Sequence, residues 1–344
     1  MHADLINRLR CPVSRQPLTL EVLKRDADGR VRTALLFSPV GLVFPVIEGV
    51  PRLLVEAMDD HSDFLEKNCP GFWKKKKKVE AQFGPLLQYC RWKNNPTKAS
   101  FGFEWGQLDY DHDRVWRQNA EELLGLFFAE TQTESSNLVG QTILDAGCGH
   151  GILSAQLARC GAQTVVGMDL SPSVVAAAAR FKADNLHYLQ ADVMFPPFEI
   201  ETFGLVHSSG VIHHTHNTEL AFSILHELVA PKGRLAVWLY RPVPTFFHRF
   251  FHWVRPFTCR LPLGLQRAVY RYVLVPPLWM VTRLRGKKLT AQDLLLDLTD
   301  GLSPRYRDEP EPPLAISWYH KRGYGRVAIS SENEWGYSVV GDRN

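Results

Sequence analysis

One seven-residue run, Asp145 to Gly151 (DAGCGHG), joins an acid to three glycines at alternate positions. Glycines so spaced let the chain turn tightly and leave no side chain between the backbone N–H groups and a ligand lying on a helix N-terminus. About twenty residues after the loop comes a second acid, Asp169, at the place where doubly wound folds set a carboxylate that accepts hydrogen bonds from a ribose diol. The chemistry implied is close binding of a nucleoside-bearing ligand. Three elements must position it. Ile143 and Leu144 form the end of a strand, Ile152, Leu153 and Leu157 mark the helix after the loop, and Thr164 to Met168 supply a second strand ending at Asp169. A dinucleotide site would carry G-x-G-x-x-G and need no acid before it, whereas here Asp145 stands on the strand end itself.

With its leading acid, this string resembles the first motif of the class I S-adenosylmethionine-dependent methyltransferases, and further motifs follow in order. The resemblance implies that Asp145 lies near the amino end of the cofactor's methionine part. It also implies that Gly147, Cys148 and Gly149 lie beneath that part, and that Asp169 is on the ribose. Leu170 and Ser209 are grouped with these as cofactor contacts. Asp192, delivered by a strand over Leu186 to Gln190, is expected to bond the adenine amino group, with Val193 beside the ring. Gly204 departs from the pattern, because many relatives have an aspartate before that strand.

The stretch SGVIHHTHNTELAFSILHELVAPKGRLAVWLY resembles the branch that holds quinone-precursor C-methyltransferases and wobble-uridine tRNA methyltransferases. His213 and His214 are the candidate catalytic pair, able to orient an acceptor or remove its proton because imidazole titrates near neutral pH. Four histidines, 207, 213, 214 and 216, crowd into ten residues. Their spacing does not present three on one helical face and no carboxylate sits among them, so no metal is expected there. The expected cofactor is S-adenosylmethionine.

The 344 residues are 45% hydrophobic and 22% charged, which describes a soluble globular chain long enough for more than one domain. Apolar stretches are broken well before the ~20 residues a bilayer span needs. The first residues lack the apolar core and cleavage site of a secretory signal. Six cysteines without paired spacing suit free thiols in a reducing cytoplasm, so the expected location is cytoplasmic, or peripheral at the inner face of a membrane. A net charge of +4 is too small to indicate a nucleic-acid partner.

Residues 1–55 read as a small α+β module, with a short helix carrying Leu5, Ile6 and Leu9 and strands near 18–23, 32–37 and 41–46. Through CPVSRQPL and PVIEGVPRLL it resembles the small methyltransferase-activator family. Zinc-binding relatives of that family carry cysteine pairs, but this segment has only Cys11, and no metal is expected. Residues 56–118 read as a linker and pre-core segment. It includes five lysines, Lys74 to Lys78, read as a solvated helix face or as contacts to an anionic partner, and Phe103 and Trp105, which could close over the cofactor.

The core is expected over 119–343, as a doubly wound seven-stranded Rossmann-like α/β sheet with its seventh strand antiparallel. A helical lid is inserted at 241–312. Residues 241–285 of the lid are rich in Phe, Trp, Leu and Arg and contain no acid, the composition of a helix lying in a membrane interface. The sequence therefore points to methyl transfer onto a hydrophobic or amphipathic small molecule, such as a quinone precursor or lipid-linked metabolite. The alternatives are a tRNA-modifying enzyme, which would need nucleic acid as partner, and a non-catalytic scaffold that only binds the cofactor.

Overall fold

The strands Thr142–Ala146 and Thr164–Asp169 are almost wholly buried, the signature of parallel strands covered on both faces. In the computed structural model, which describes residues 1, 3–106, 118–243, 245–286 and 289–344, they lie at the centre of one sheet. A separate four-stranded antiparallel sheet in the first fifty residues contains β1 (Thr19–Arg25), β2 (Val31–Phe37), β3 (Val43–Ile47) and β4 (Val50–Pro51). The large sheet is built from β5 (Thr142–Ala146), β6 (Thr164–Asp169), β7 (Leu186–Gln190), β8 (Phe203–Ser209), β9 (Val229–Tyr240), β10 (Tyr324–Glu332) and β11 (Gly336–Arg343). Its order is β10-β11-β9-β8-β5-β6-β7. Strands β5 to β9 pair in parallel, and β11 runs antiparallel to both of its neighbours, β9 and β10.

Period-two alternation divides the core into two layers. Ile143, Val165 and Leu205 pack with Phe127, Leu157 and Val174. Leu144, Val166 and Val206 point the other way, against Phe222, Leu225 and Trp318. The helices are α1 (Ala57–Asp60), α2 (Ser62–Asn68), α3 (Phe72–Gly106), α4 (Ala120–Thr131), α5 (Ser135–Leu138), α6 (Ile152–Arg159), α7 (Ser173–Arg180) and α8 (Thr218–Leu228). Beyond β9 come α9 (Phe246–Thr258), α10 (Leu263–Val269), α11 (Val275–Leu284), α12 (Ala291–Leu302) and α13 (Pro312–Lys321). A π-helical turn over Tyr270–Leu274 joins α10 to α11.

The front module is continuous with the main core. The backbone N–H of Leu53 donates to the Gln190 carbonyl at 2.8 Å, and that of Arg10 donates to the Pro197 carbonyl at 2.8 Å. Its strands start and end within two residues of expectation, and its apolar residues Leu9, Leu35 and Phe44 join the same cluster as Leu189 and Phe198.

Other stretches differ from their sequence reading. Much of the linker is a single 35-residue helix, α3, which its two internal prolines, Pro85 and Pro96, and its weak apolar periodicity conceal. Within the lysine run, Lys76 pairs with Asp59 at 2.8 Å and Lys75 bonds the Pro70 carbonyl at 2.6 Å, while Lys74, Lys77 and Lys78 are exposed. The side chains of Phe103 and Trp105 lie outside the described residues. Ser171 turns its hydroxyl to that of Ser173 at 2.7 Å, and Pro172 holds the cap position of α7. The fifth core strand begins earlier than Arg234, since the chain enters it at Val229 and passes the P-K-G turn with Lys232 at φ +63°. Asn119 does cap α4, in a capping box with Glu122. All six cysteines are free, and among the described residues no helix is long and apolar enough to cross a membrane.

Candidate active site

At the C-terminal ends of β5, β6 and β8 lies a cavity of about 510 Å³. It occupies the crevice where open α/β sheets bind ligands. Asp145, Gly147, Cys148, Gly149, Asp169, Leu170, Asp192, Val193 and Ser209 all line it, so every cofactor residue expected from the sequence comes to one place. Of the catalytic pair, His214 lines the cavity and His213 does not.

The glycine loop is tied to its neighbouring strand. The N–H groups of Gly147 and Cys148 both donate to the Met168 carbonyl, at 2.7 and 3.0 Å. Gly147 has φ +89°, and a Cβ there would sit 2.1 Å from Cγ2 of Val211. The missing side chain thus keeps both the turn and the cavity floor open. Gly151, at φ +77°, leaves room for Tyr188, whose hydroxyl donates to the Gly151 carbonyl at 2.6 Å.

Asp169 accepts from Gly149 N at 2.9 Å and from Ser171 N at 2.7 Å, one backbone donor on each oxygen. Each oxygen keeps a second lone pair for a ribose hydroxyl. Burial raises the carboxyl above its ordinary range, with the N–H and hydroxyl donors opposing. Asp192 accepts from Met194 N at 2.9 Å and pairs with Lys93 of α3 at 2.5 Å, both side chains being buried. The position that the resemblance assigns to adenine is therefore bordered by a lysine, Lys93, with no local motif in the sequence. Asn94, Thr97 and Phe101 of the same helix also line the cavity.

Behind Asp145 stands a buried charge relay of fixed position. Ser154 Oγ donates to Asp145 Oδ2 at 2.6 Å, and His207, opposite Asp145 in register, lies 3.9 Å from Oδ1. The other ring nitrogen of His207 is 2.6 Å from Glu130 of α4, which also accepts from Ser209 Oγ at 3.2 Å. Burial pushes the imidazole down, but Asp145 and Glu130 outweigh it and hold its pKa up at about 9. At neutral pH His207 is a cation between two carboxylates.

The remaining histidines divide by environment. His213 is fully buried between His214 and Tyr240, with neither ring nitrogen hydrogen-bonded, and burial pushes its pKa well below the ordinary value. It packs the loop. His214 Nδ1 donates to the Tyr306 carbonyl at 3.0 Å, which leaves a lone pair on Nε2, 3.7 Å from Asp300 Oδ1. Burial lowers its pKa, with the Asp300 charge opposing, which favours the neutral ring. His216 also lines the cavity, with its Nδ1 3.1 Å from the Tyr89 hydroxyl.

Opposite the cofactor residues, the cavity is closed by Trp238, Tyr240, Asp300, Tyr306, Arg307 and Trp335. The Arg307 guanidinium lies 3.7 Å from the Tyr240 ring centroid, while the Tyr240 hydroxyl donates to Asp300. Most of this wall was not legible. Asp300, Tyr306 and Arg307 sit in an acidic, proline-rich stretch with no motif.

Strand order, glycine loop and acidic strand ends together define a class I methyltransferase fold. Residues 144–237 match the family model described as a methyltransferase domain. The match covers this part of the chain, and S-adenosylmethionine is the cofactor expected for such a domain. The residues present fit that cofactor, since the Gly147 cradle is one a Cβ would fill and Asp145 and Asp169 both face the cavity.

The chain is similar to an uncharacterized methyltransferase of Mycobacterium tuberculosis, 40% identical over 98 residues, which are 28% of this chain and 49% of that protein. A ribosomal-protein methyltransferase of Burkholderia thailandensis is 35% identical over 102 residues, 28% of this chain and 31% of that one. The chain thus spans about half or less of the length of these curated relatives. Among solved structures, an N-methyltransferase from Bradyrhizobium japonicum superposes with a TM-score of 0.44 at 13% identity, covering 72% of this chain and 98% of that one.

Proposed function

We propose that this protein transfers a methyl group from S-adenosylmethionine to a flat, amphipathic small molecule, of the quinone-precursor or lipid-linked kind, taken up at a membrane surface. The observation that carries the acceptor reading is the outer face of the lid. More than half of the exposed large apolar side chains among the described residues fall between Trp253 and Leu284, including Phe257, Leu265, Tyr272, Val273 and Met280. Arg260, Arg271, Arg283 and Arg285 are exposed among them, and no acid occurs from 241 to 292. An apolar patch of this extent rimmed by cations suits acidic headgroups better than free solution. Inside, Trp238, Tyr240 and Trp335 offer aromatic walls for a planar ring, and Arg307 a fixed cation for an acidic oxygen.

Bound S-adenosylmethionine supplies a sulfonium methyl, already a good electrophile. The chain's task is to hold the acceptor in line behind that methyl and to exclude water. The wall from Trp238 to Trp335 does both. His214, with Nδ1 fixed on Tyr306 and Nε2 enclosed beside Asp300, holds this wall in place rather than touching the acceptor through Nε2. His214→Gln is expected to lower kcat about a hundredfold by misplacing the acceptor while leaving the cofactor's Kd within a factor of about two, because His214 supports the acceptor side of the wall. Single-turnover methyl transfer set beside equilibrium binding of S-adenosylhomocysteine checks this.

Labelled methyl transferred from S-adenosylmethionine into a cell extract tests the acceptor class. Label in the organic phase, indifferent to ribonuclease, is the expected result; ribonuclease-sensitive label in precipitable material would transfer the assignment to RNA. Vesicles test the surface. The protein should co-sediment with phosphatidylglycerol vesicles and not with phosphatidylcholine. Reversing Arg260, Arg271 and Arg283 to Glu should weaken that binding at least about tenfold, at ~1 kcal/mol for each basic residue near an acidic surface.

A further inference from the structure

We propose that His248, His252 and Glu309 form a divalent metal site that fastens the lid to the segment behind α12, with zinc the ion its donors suit best. The two histidines are four residues apart on α9, hence on one face of the helix, and Glu309 comes from the chain between α12 and α13. Their donor atoms converge. His248 Nε2 is 2.6 Å and His252 Nε2 3.1 Å from the same carboxylate oxygen, Glu309 Oε2, and the two nitrogens are 2.9 Å apart. Among the described residues it is this cluster, and not the four histidines between 207 and 216, that brings three possible ligand atoms together.

Two neutral rings can each donate an Nε2 proton to Glu309 Oε2, but the two protonated nitrogens then stand only 2.9 Å apart, a repulsive approach. A cation at the centre satisfies all three lone pairs at once. Two imidazoles and one carboxylate are a donor set that zinc takes with a fourth position left open.

The surroundings fit a prepared site. Arg307 Nε donates to the other Glu309 oxygen at 2.8 Å, fixing the carboxylate so that Oε2 faces the histidines. The Glu309 side chain is only 8% exposed. His252 is about a third exposed, which gives an ion a way in. One contact must yield. Coordination through Nε2 moves the His252 proton to Nδ1, so Arg255 gives up a 3.5 Å approach to that atom and keeps its 2.8 Å bond to the Gly301 carbonyl. The site lies outside the methyl-transfer cavity and does not depend on the acceptor's identity. Through Arg307 and through the Asp308 N–H, which donates to the His213 carbonyl at 2.9 Å, it anchors the cavity wall.

The full-length protein, stripped with chelator and titrated with zinc against a chromophoric competitor, tests the proposal. One ion per chain is expected beyond whatever the His248→Ala/His252→Ala variant binds, with the melting temperature raised by zinc only in the unaltered protein. Cobalt should give ligand-field bands of a low-coordinate nitrogen and oxygen site. Glu309→Gln, which keeps shape and hydrogen bonding, should bind about a hundredfold more weakly, at least the loss that outer partners of metal ligands produce. Equal stoichiometry and affinity in the unaltered and Glu309→Gln proteins, or no zinc bound by the unaltered one, would overturn it and leave a histidine–carboxylate ion pair.

Discussion

Gly147→Ala should yield a folded protein whose melting temperature no longer responds to S-adenosylmethionine. Two costs meet at this position. At φ +89° a side chain is in the left-handed region, a strain of roughly 1–3 kcal/mol. The new methyl would also stand 2.1 Å from Cγ2 and 2.8 Å from Cγ1 of Val211, so the loop after β8 must shift. That loop lines the cavity with Gly210 and Val211, and its displacement reshapes the space that the resemblance assigns to the cofactor's methionine part. A ligand present at a hundred times its Kd stabilises the native state by about 3 kcal/mol, and the variant forfeits all of it. Gly140→Ala is the control. It imposes a similar strain at φ +76°, but its added carbon meets nothing within 4 Å, and it lies outside the cavity. Thermal melts with and without cofactor compare the two. If Gly147→Ala keeps the full shift, the loop is not the cofactor's cradle.

The second large effect is the loss of alkaline stability with His207. Its pKa is held at about 9 against an ordinary 6.5. A group raised on folding binds protons more tightly in the native state. Its stabilisation is therefore complete below about pH 6.5 and disappears as pH rises through 9. The shift corresponds to roughly 3 kcal/mol, taking 1.36 kcal/mol for each unit, and full burial means no solvent screening reduces it. Urea unfolding of the unaltered protein should thus show stability falling between pH 7 and pH 10, and His207→Gln should remove that part of the slope. At pH 7 the variant should be about 3–5 kcal/mol less stable, because Glu130 and Asp145 remain buried without their cation. Parallel pH profiles for the two proteins would refute the ion-pair account. Since Asp145 is one member of the trio, the same substitution should weaken cofactor binding, which separates His207 from a purely structural residue.

The parts of the site legible in sequence are those in which backbone geometry and chemistry coincide. The DAGCGHG loop, Asp169 and Asp192 each sit at the end of a strand whose apolar run could be recognised, so their place at one cavity could be read. The helices around them could be read where a cap and a period-3.6 stripe agree, as at Asn119 and α4. Residues whose role depends on a distant element left no local trace. Lys93 meets Asp192 only because α3 crosses the Asp192 end of the cavity, and α3 itself is disguised by Pro85 and Pro96. Glu130 ends an ordinary amphipathic helix, and nothing nearby in sequence says that His207 lies 2.6 Å away. The adjacent histidines were read as one pair, but the loop turns one ring into the core and the other into the cavity. For His248 and His252 the i, i+4 spacing was present, yet the third partner lies 57 residues onward.

The docking of the first fifty residues bears on a hazard common to open sheets. An outermost strand offers a row of unpaired N–H and C=O groups that invites a strand from another molecule. At β7 that invitation is withdrawn within the chain, because Leu53 already occupies the Gln190 carbonyl and Arg52 runs parallel beside the strand end. The opposite border, β10, is protected differently: its register slips between Tyr324 and Arg326 and again between Ile329 and Ser331, and it presents polar side chains such as Glu332. Safeguards against edge-to-edge aggregation are thus divided between a borrowed cover on one side and an irregular ribbon on the other. Removing the front module would uncover the smoother of the two borders.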